Sequence, residues 1–113
     1  MRILLFISLV IISSCKIDNK QTFFSGKILN KSSEKIILSF DENPLYSSLI
    51  SESGNFSITI DSLESGLHNF FLQPEFQYVI LEEGDSIYIR LNSLDFDESL
   101  VFMGKGSAKN NFL

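Results

Sequence analysis

The fold class predicted by the sequence is all-β: a small antiparallel β-sandwich of about seven or eight strands behind a leader segment. Three observations carry that expectation. From Thr22 onward, apolar and polar residues alternate with a period close to two, which marks strands with one buried face. Clusters of Gly, Pro, Asn, Asp and Ser interrupt the alternation at short, regular intervals, where a chain reverses without strain. No window combines a helical period with capping residues, and no repeat of solenoid or propeller length is visible.

Lys16 to Gln21 is short, polar and charged, a tether with nothing to bury. The first strand is expected at Phe23–Leu29 and the second at Lys35–Phe40, with turn residues Asn30 to Ser33 between them. Asp41 to Pro44 reads as a turn ahead of a third strand at Tyr46–Glu52. Glu52-Ser53-Gly54-Asn55 reads as a hairpin loop, its glycine free to take positive φ. Asn55 to Asp61 is the clearest alternation, with Phe56, Ile58 and Ile60 facing one way and Ser57 and Thr59 the other. Strands at Leu67–Gln73 and Gln77–Leu81 flank a turn at Gln73-Pro74-Glu75. Glu82-Glu83-Gly84-Asp85 reads as a second hairpin loop. It leads into Asp85–Asn92, with Ile87, Ile89 and Leu91 inward and Ser86, Tyr88 and Arg90 outward. A last strand is expected at Ser99–Met103, and eleven Phe with no Trp imply a core of Phe, Ile and Leu.

The N-terminus supplies an address. Arg2 precedes an apolar run from Ile3 to Ile12, then the small Ser13 and Ser14, then Cys15, the only cysteine. A membrane span needs about 20 apolar residues, roughly twice this run. Ile12-Ser13-Ser14-Cys15 resembles the lipobox of a bacterial lipoprotein signal. The resemblance implies cleavage between Ser14 and Cys15 and acylation of Cys15, so that several lipid chains hold the protein on its membrane. Lys16 and Ile17 follow, without the aspartate that retains such proteins at the inner membrane, which favours the outer membrane of the cell envelope. The expected organisation is a signal peptide over residues 1–14, a lipidated Cys15 with tether over 15–21, a β-sandwich over 22–104 and a tail over 105–113. That tail reads as the start of a linker. A lipid-bonded sulfur forms no disulfide and carries no redox chemistry. The net charge of −5 gives no footprint for nucleic acid and no attraction to anionic lipid beyond the anchor.

Little else in the sequence carries chemistry. The acidic groups Asp41-Glu42, Glu82-Glu83 with Asp85, and Asp95-Phe96-Asp97-Glu98 suit solvated turns better than acid–base work. None has the spacing of a calcium-binding EF-hand loop. His68, the only histidine, has no thiol or second histidine to make a zinc site or a dyad and reads as a strand-edge residue. Gly104-Lys105-Gly106-Ser107 lacks the spacing and strand-to-helix context of a phosphate loop. Asp61-Ser62-Leu63 and Asp85-Ser86-Ile87 resemble a short O-glycosylation signal of some envelope proteins. Asn30-Lys31-Ser32 and Asn55-Phe56-Ser57 fit the N-glycosylation pattern, which a bacterial leader makes moot. No catalytic residue, metal or cofactor is expected.

A further signal lies in the order of landmarks along the chain. Phe24-Ser25-Gly26-Lys27-Ile28, Ile36-Ile37-Leu38, Gly54-Asn55-Phe56, Glu83-Gly84-Asp85-Ser86-Ile87 and Leu100-Val101-Phe102-Met103-Gly104 occur in turn, closing on Gly106 and Asn110-Asn111-Phe112-Leu113. Over Thr22 to Leu113 this resembles the N-terminal β-domain, of unknown function, of lipoproteins related to ResA/TlpA-type thiol–disulfide oxidoreductases. In that family a helical connector and a thioredoxin-like domain with Cys-x-x-Cys follow, so the family's redox residues have no counterparts here. The resemblance implies a non-catalytic accessory module, from a truncated product or a domain working alone, with a thioredoxin-like domain or another envelope protein as partner. The alternative is a free-standing binding lipoprotein for a glycan, peptide or protein, with a concave patch rimmed by Tyr46, Tyr78 or Tyr88, or an exposed sheet edge.

Overall fold

The computed structural model of the chain describes residues 21–112. Eight strands run in the order β1 (Thr22–Leu29), β2 (Lys35–Phe40), β3 (Asn43–Leu49), β4 (Asn55–Ile60), β5 (Gly66–Leu72), β6 (Glu75–Leu81), β7 (Ser86–Asn92) and β8 (Val101–Lys105). They form two four-stranded sheets, β4-β1-β7-β8 (sheet I) and β3-β2-β5-β6 (sheet II), and the small all-β sandwich is as expected. Between β7 and β8 lie a 3-10 turn, Ser93–Asp95, and a four-residue helix α1, Phe96–Ser99. A second 3-10 segment, Ala108–Phe112, follows β8. These helical pieces are too short to leave a period in the sequence.

The inward faces follow the alternation. Phe56, Ile58 and Ile60 on β4 and Ile87, Ile89 and Leu91 on β7 are all buried. They meet Ile36 and Leu38 of β2, Phe70 and Leu72 of β5, and Val79 and Leu81 of β6. Phe24 stands at the centre with no exposed surface, its ring 5.4 Å from Phe56 within sheet I and 5.4 Å from Phe70 across the interface. Phe70 in turn lies 6.2 Å from Phe96 of α1, which closes one end. Each such side chain contributes on the order of 2–3 kcal/mol by leaving water.

Long-range pairing departs from the sequence reading in three places. First, the two expected hairpin loops are corners between sheets, because β3 and β4, and likewise β6 and β7, belong to opposite sheets. At the first corner Gly54, at φ 92°, sits so close to the Ile28 carbonyl that any Cβ would collide. The Gly54 carbonyl accepts the Ile28 N–H at 2.8 Å. At the second, the Phe23 N–H donates to the Asp85 carbonyl at 2.9 Å and the Gly84 N–H to the buried Thr22 hydroxyl at 3.0 Å. Second, β1 pairs with β7 in parallel, Phe24 opposite Ile87 and Ile28 opposite Leu91, so the sheets are not wholly antiparallel. Third, β3 starts at Asn43 and ends at Leu49, earlier than Tyr46–Glu52. A two-residue turn at Asp41-Glu42 suffices, and Pro44 is tolerated because β3 is an edge strand.

The open edge of β6 is plugged by side chains. The Asn110 carboxamide mimics a strand residue against β6, its Oδ1 accepting the Ile80 N–H at 2.6 Å and its Nδ2 donating to the Ile80 carbonyl at 3.0 Å. The Gln77 side chain accepts the Tyr78 N–H at 2.9 Å on the same edge. Lys109 holds this C-terminal segment in place by binding Asp85 at 2.7 Å and the Gly106 carbonyl at 2.6 Å.

Gly26 faces the core in β1, opposite Phe56 and Ile89 in register. A Cβ there would collide with the Ile89 carbonyl oxygen of the paired strand and lie 2.7 Å from Ile89 Cγ1 and 2.9 Å from Phe56 Cε1. Gly26→Ala is therefore expected to lower the unfolding free energy by about 1–3 kcal/mol, the usual loss on overpacking. Urea titration should show a lower midpoint at unchanged slope; an unmoved midpoint would refute the close approach.

Candidate functional site

Strand alternation leaves sheet II with an outer face, and that face is apolar. The β5–β6 register sets Leu67 opposite Ile80, Asn69 opposite Tyr78 and Phe71 opposite Phe76, all on the side away from buried His68, Phe70 and Leu72. Leu67, Phe71, Phe76 and Tyr78 are 40–51 % exposed, too open to belong to a core. The rings of Phe71, Phe76 and Tyr78 form one cluster. Phe71 and Phe76 lie 5.7 Å apart at 45°, and Phe76 and Tyr78 5.7 Å apart at 85°. Leu49 and Leu45 on β3 extend exposed apolar surface along the same sheet.

The turn between β2 and β3 lines this face as well. Asp41 and Glu42 both take left-handed backbone, φ 55° and 67°, because a two-residue hairpin whose twist matches its strands demands it. Glycine or asparagine is the ordinary occupant, so a glutamate here carries backbone strain. Together Asp41, Glu42, Leu67, His68, Asn69, Phe71, Phe76 and Tyr78 line an open recess of about 430 Å³. The ion pairs among the described residues are Lys31–Glu34, Lys109–Glu82 and Lys109–Asp85, and neither turn carboxylate is in one.

His68 is not at a strand edge. β5 lies between β2 and β6, and His68 is paired with Phe40 on one side and Val79 on the other. Its ring is 1 % exposed and packs 4.6 Å from that of Phe40. Nδ1 is 2.9 Å from the Gly66 carbonyl, which assigns the proton of the neutral ring to Nδ1. Nε2 is buried without a hydrogen-bond partner. Burial lowers the pKa below its ordinary value, opposed by the bond to Gly66 and the charge of Glu64.

The other sequence candidates are dispersed. Asp85 is buried and accepts the Glu82 N–H at 2.8 Å besides its bond to Lys109, which makes it a clamp for the β6–β7 corner. Glu82 and Glu83 are exposed. Asp95, Asp97 and Glu98 are exposed around α1, Asp97 accepting from Gln77 at 3.0 Å. Among the described residues no group of three or more His, Cys, Asp or Glu stands close enough to hold a metal ion. Gly104 to Ser107 end β8 in a turn, with Gly106 packed against the Asp85 carboxylate. Ser62 and Ser86 are exposed, as are Asn30 and Asn55. Ser14 and Cys15, with the tether up to Lys20, lie outside the described residues. No helix of the described residues is long and apolar enough to cross a membrane.

Of the three tyrosines named from the sequence, only Tyr78 reaches the recess. Tyr46 packs against the core and Tyr88 lies on the outer face of sheet I, opposite Met103. Phe71 and Phe76 were missed because phenylalanine in a strand is ordinarily core. The signal that exposes them is phase: Phe70 and Leu72 both face inward, so Phe71 between them must face out, and the tight turn at Gln73-Pro74 carries Phe76 opposite it.

Because the folded pKa of His68 is lowered, the unfolded chain takes up the proton first as pH falls. The stability it protects is whole above about pH 6.5 and declines below that until the folded ring titrates. His68→Phe should flatten the fall in Tm between about pH 7 and pH 5 relative to the parent; parallel curves would refute it. Comparison with family models, curated proteins and solved structures found no match for this chain.

Proposed function

We propose that the chain is a non-catalytic recognition domain of a bacterial envelope lipoprotein, tethered through Cys15, whose working surface is the outer face of sheet II. The observation that carries this reading is the cluster of Phe71, Phe76 and Tyr78, exposed beside an open recess. A domain of this size gains most by burying its aromatic residues, so three large rings held in solvent point to surface kept for a partner. A face suits this role better than an edge. Asn110 and Gln77 occupy the Ile80 N–H and carbonyl and the Tyr78 N–H on the edge of β6, the strand nearest the recess, and the Ser48 hydroxyl meets the Ser57 N–H on the edge of β4 at 3.4 Å. Strand addition needs those groups free.

As an accessory module of a thioredoxin-like oxidoreductase, the same face would hold the redox domain or its client. The position of the C-terminal 3-10 segment against β6, the strand that bears Phe76 and Tyr78, favours that arrangement. A domain joined there would stand beside the face.

A photo-crosslinking residue at position 67 in the full chain, in native envelopes, is expected to trap a partner. The same probe in place of Thr59, on sheet I, should trap none. Phe76→Ser with Tyr78→Ser should abolish the adduct while leaving Tm within a few degrees, since both residues are exposed. An adduct that persists in the double variant, or forms only from sheet I, refutes the reading. Separately, Cys15→Ala should move the protein from the membrane to the soluble fraction, and continued retention would sink the anchor.

A further inference from the structure

Resting on that reading of sheet II, we propose that the recess between the Asp41-Glu42 turn and β6 takes a long cationic side chain, lysine or arginine, from a partner peptide. Charge complementarity is the first argument. The recess is lined by two carboxylates and by no lysine or arginine. Asp41 and Glu42 engage in none of the ion pairs among the described residues. The one other titratable nitrogen nearby, on His68, sits in a ring that burial keeps neutral near pH 7. The local field is therefore negative and uncompensated.

Ring geometry is the second argument. Phe76 is turned 45° from Phe71 and 85° from Tyr78, so the cluster offers no continuous flat platform wider than one ring. A cation needs no such platform, since it is drawn to any exposed ring face. The carboxylates add a requirement for hydrogen-bond donors. Ammonium carries three and guanidinium five, whereas a quaternary ammonium headgroup of a lipid has none. The apolar stem of a lysine or arginine can lie along Leu67 and Phe71 while its head reaches the turn. A volume of about 430 Å³ leaves room for the side chain and part of the backbone that presents it.

The test uses the isotope-labelled full chain in nonionic micelles, titrated with Nα-acetyl-lysinamide, its arginine counterpart, its norleucine counterpart and a disaccharide, followed by amide NMR shifts. The lysine and arginine probes should move Leu67, Asn69, Phe71, Phe76, Tyr78 and the Asp41-Glu42 turn. Norleucine, which keeps the stem and lacks the ammonium, should bind about tenfold more weakly. Added salt should weaken the cationic probes alone. Asp41→Asn with Glu42→Gln should reduce their affinity about tenfold while Tm stays at or above that of the parent, since asparagine suits the left-handed backbone at position 41. Glu42→Gly separates function from folding, because relief of the left-handed strain should raise Tm while binding falls. Norleucine binding as well as lysine, or shifts centred elsewhere, would overturn the proposal. A disaccharide filling the recess while the cationic probes stay silent would overturn it too, yet leave the recognition face standing. Silence from every probe, with crosslinking from position 67 unaffected by Phe76→Ser and Tyr78→Ser, would overturn both.

Discussion

At Gly26 the second strand of sheet I offers bare backbone to the core, and Phe56 and Ile89 close over it from the neighbouring strands. That vacancy lets β1 lie between an antiparallel partner, β4, and a parallel one, β7, without forcing either side chain out of place. It also lets the Phe56 ring lean against Phe24, which touches Phe70 across the sandwich. A row of tilted aromatic contacts thus runs from sheet I through sheet II to Phe96, joining the two sheets and the closing helix. Such contacts add about 0.5–1.5 kcal/mol each beyond the area they bury. In a domain too small to waste apolar surface, this is the packing on which the two sheets depend.

The same economy makes the outer face of sheet II conspicuous. The rings there leave 40–46 % of their surface in water, and the turn beside them holds Asp41 and Glu42 in backbone that glycine would adopt freely. Residues that work against stability gather where a protein binds something. Elsewhere the molecule is conservative. Three of its buried polar side chains each meet a backbone or side-chain partner: Thr22 and Asp85 fasten the β6–β7 corner, and Asn110 the edge of β6.

His68 shows how the two themes meet. Its strand places it against the core, its Nδ1 is satisfied by a carbonyl two residues away, and its Nε2 is left without a partner. A ring in that setting is easier to keep neutral than charged. It therefore packs as an aromatic against Phe40 while the charge beside the recess stays with the turn carboxylates.

Local alternation determined which segments are strands and which residues on β4 and β7 point inward, because a side chain's neighbours two positions away share its face whatever the strand pairs with. The address reading of Cys15 likewise belongs wholly to the sequence, as it rests on a short linear motif. Tertiary structure decided the rest. Glu52–Asn55 and Glu82–Asp85 carry the same turn chemistry as any hairpin, and only the packing of two sheets sends their flanking strands apart. The parallel meeting of β1 and β7 joins residues about sixty positions apart and leaves no local trace. Phe71 and Phe76 are residues of a kind ordinarily found in cores; Phe71 becomes surface because Phe70 and Leu72 claim the interior on either side, and Phe76 because the register sets it opposite Phe71. A sequence states what each residue prefers; which preferences are granted depends on contacts made across the whole fold.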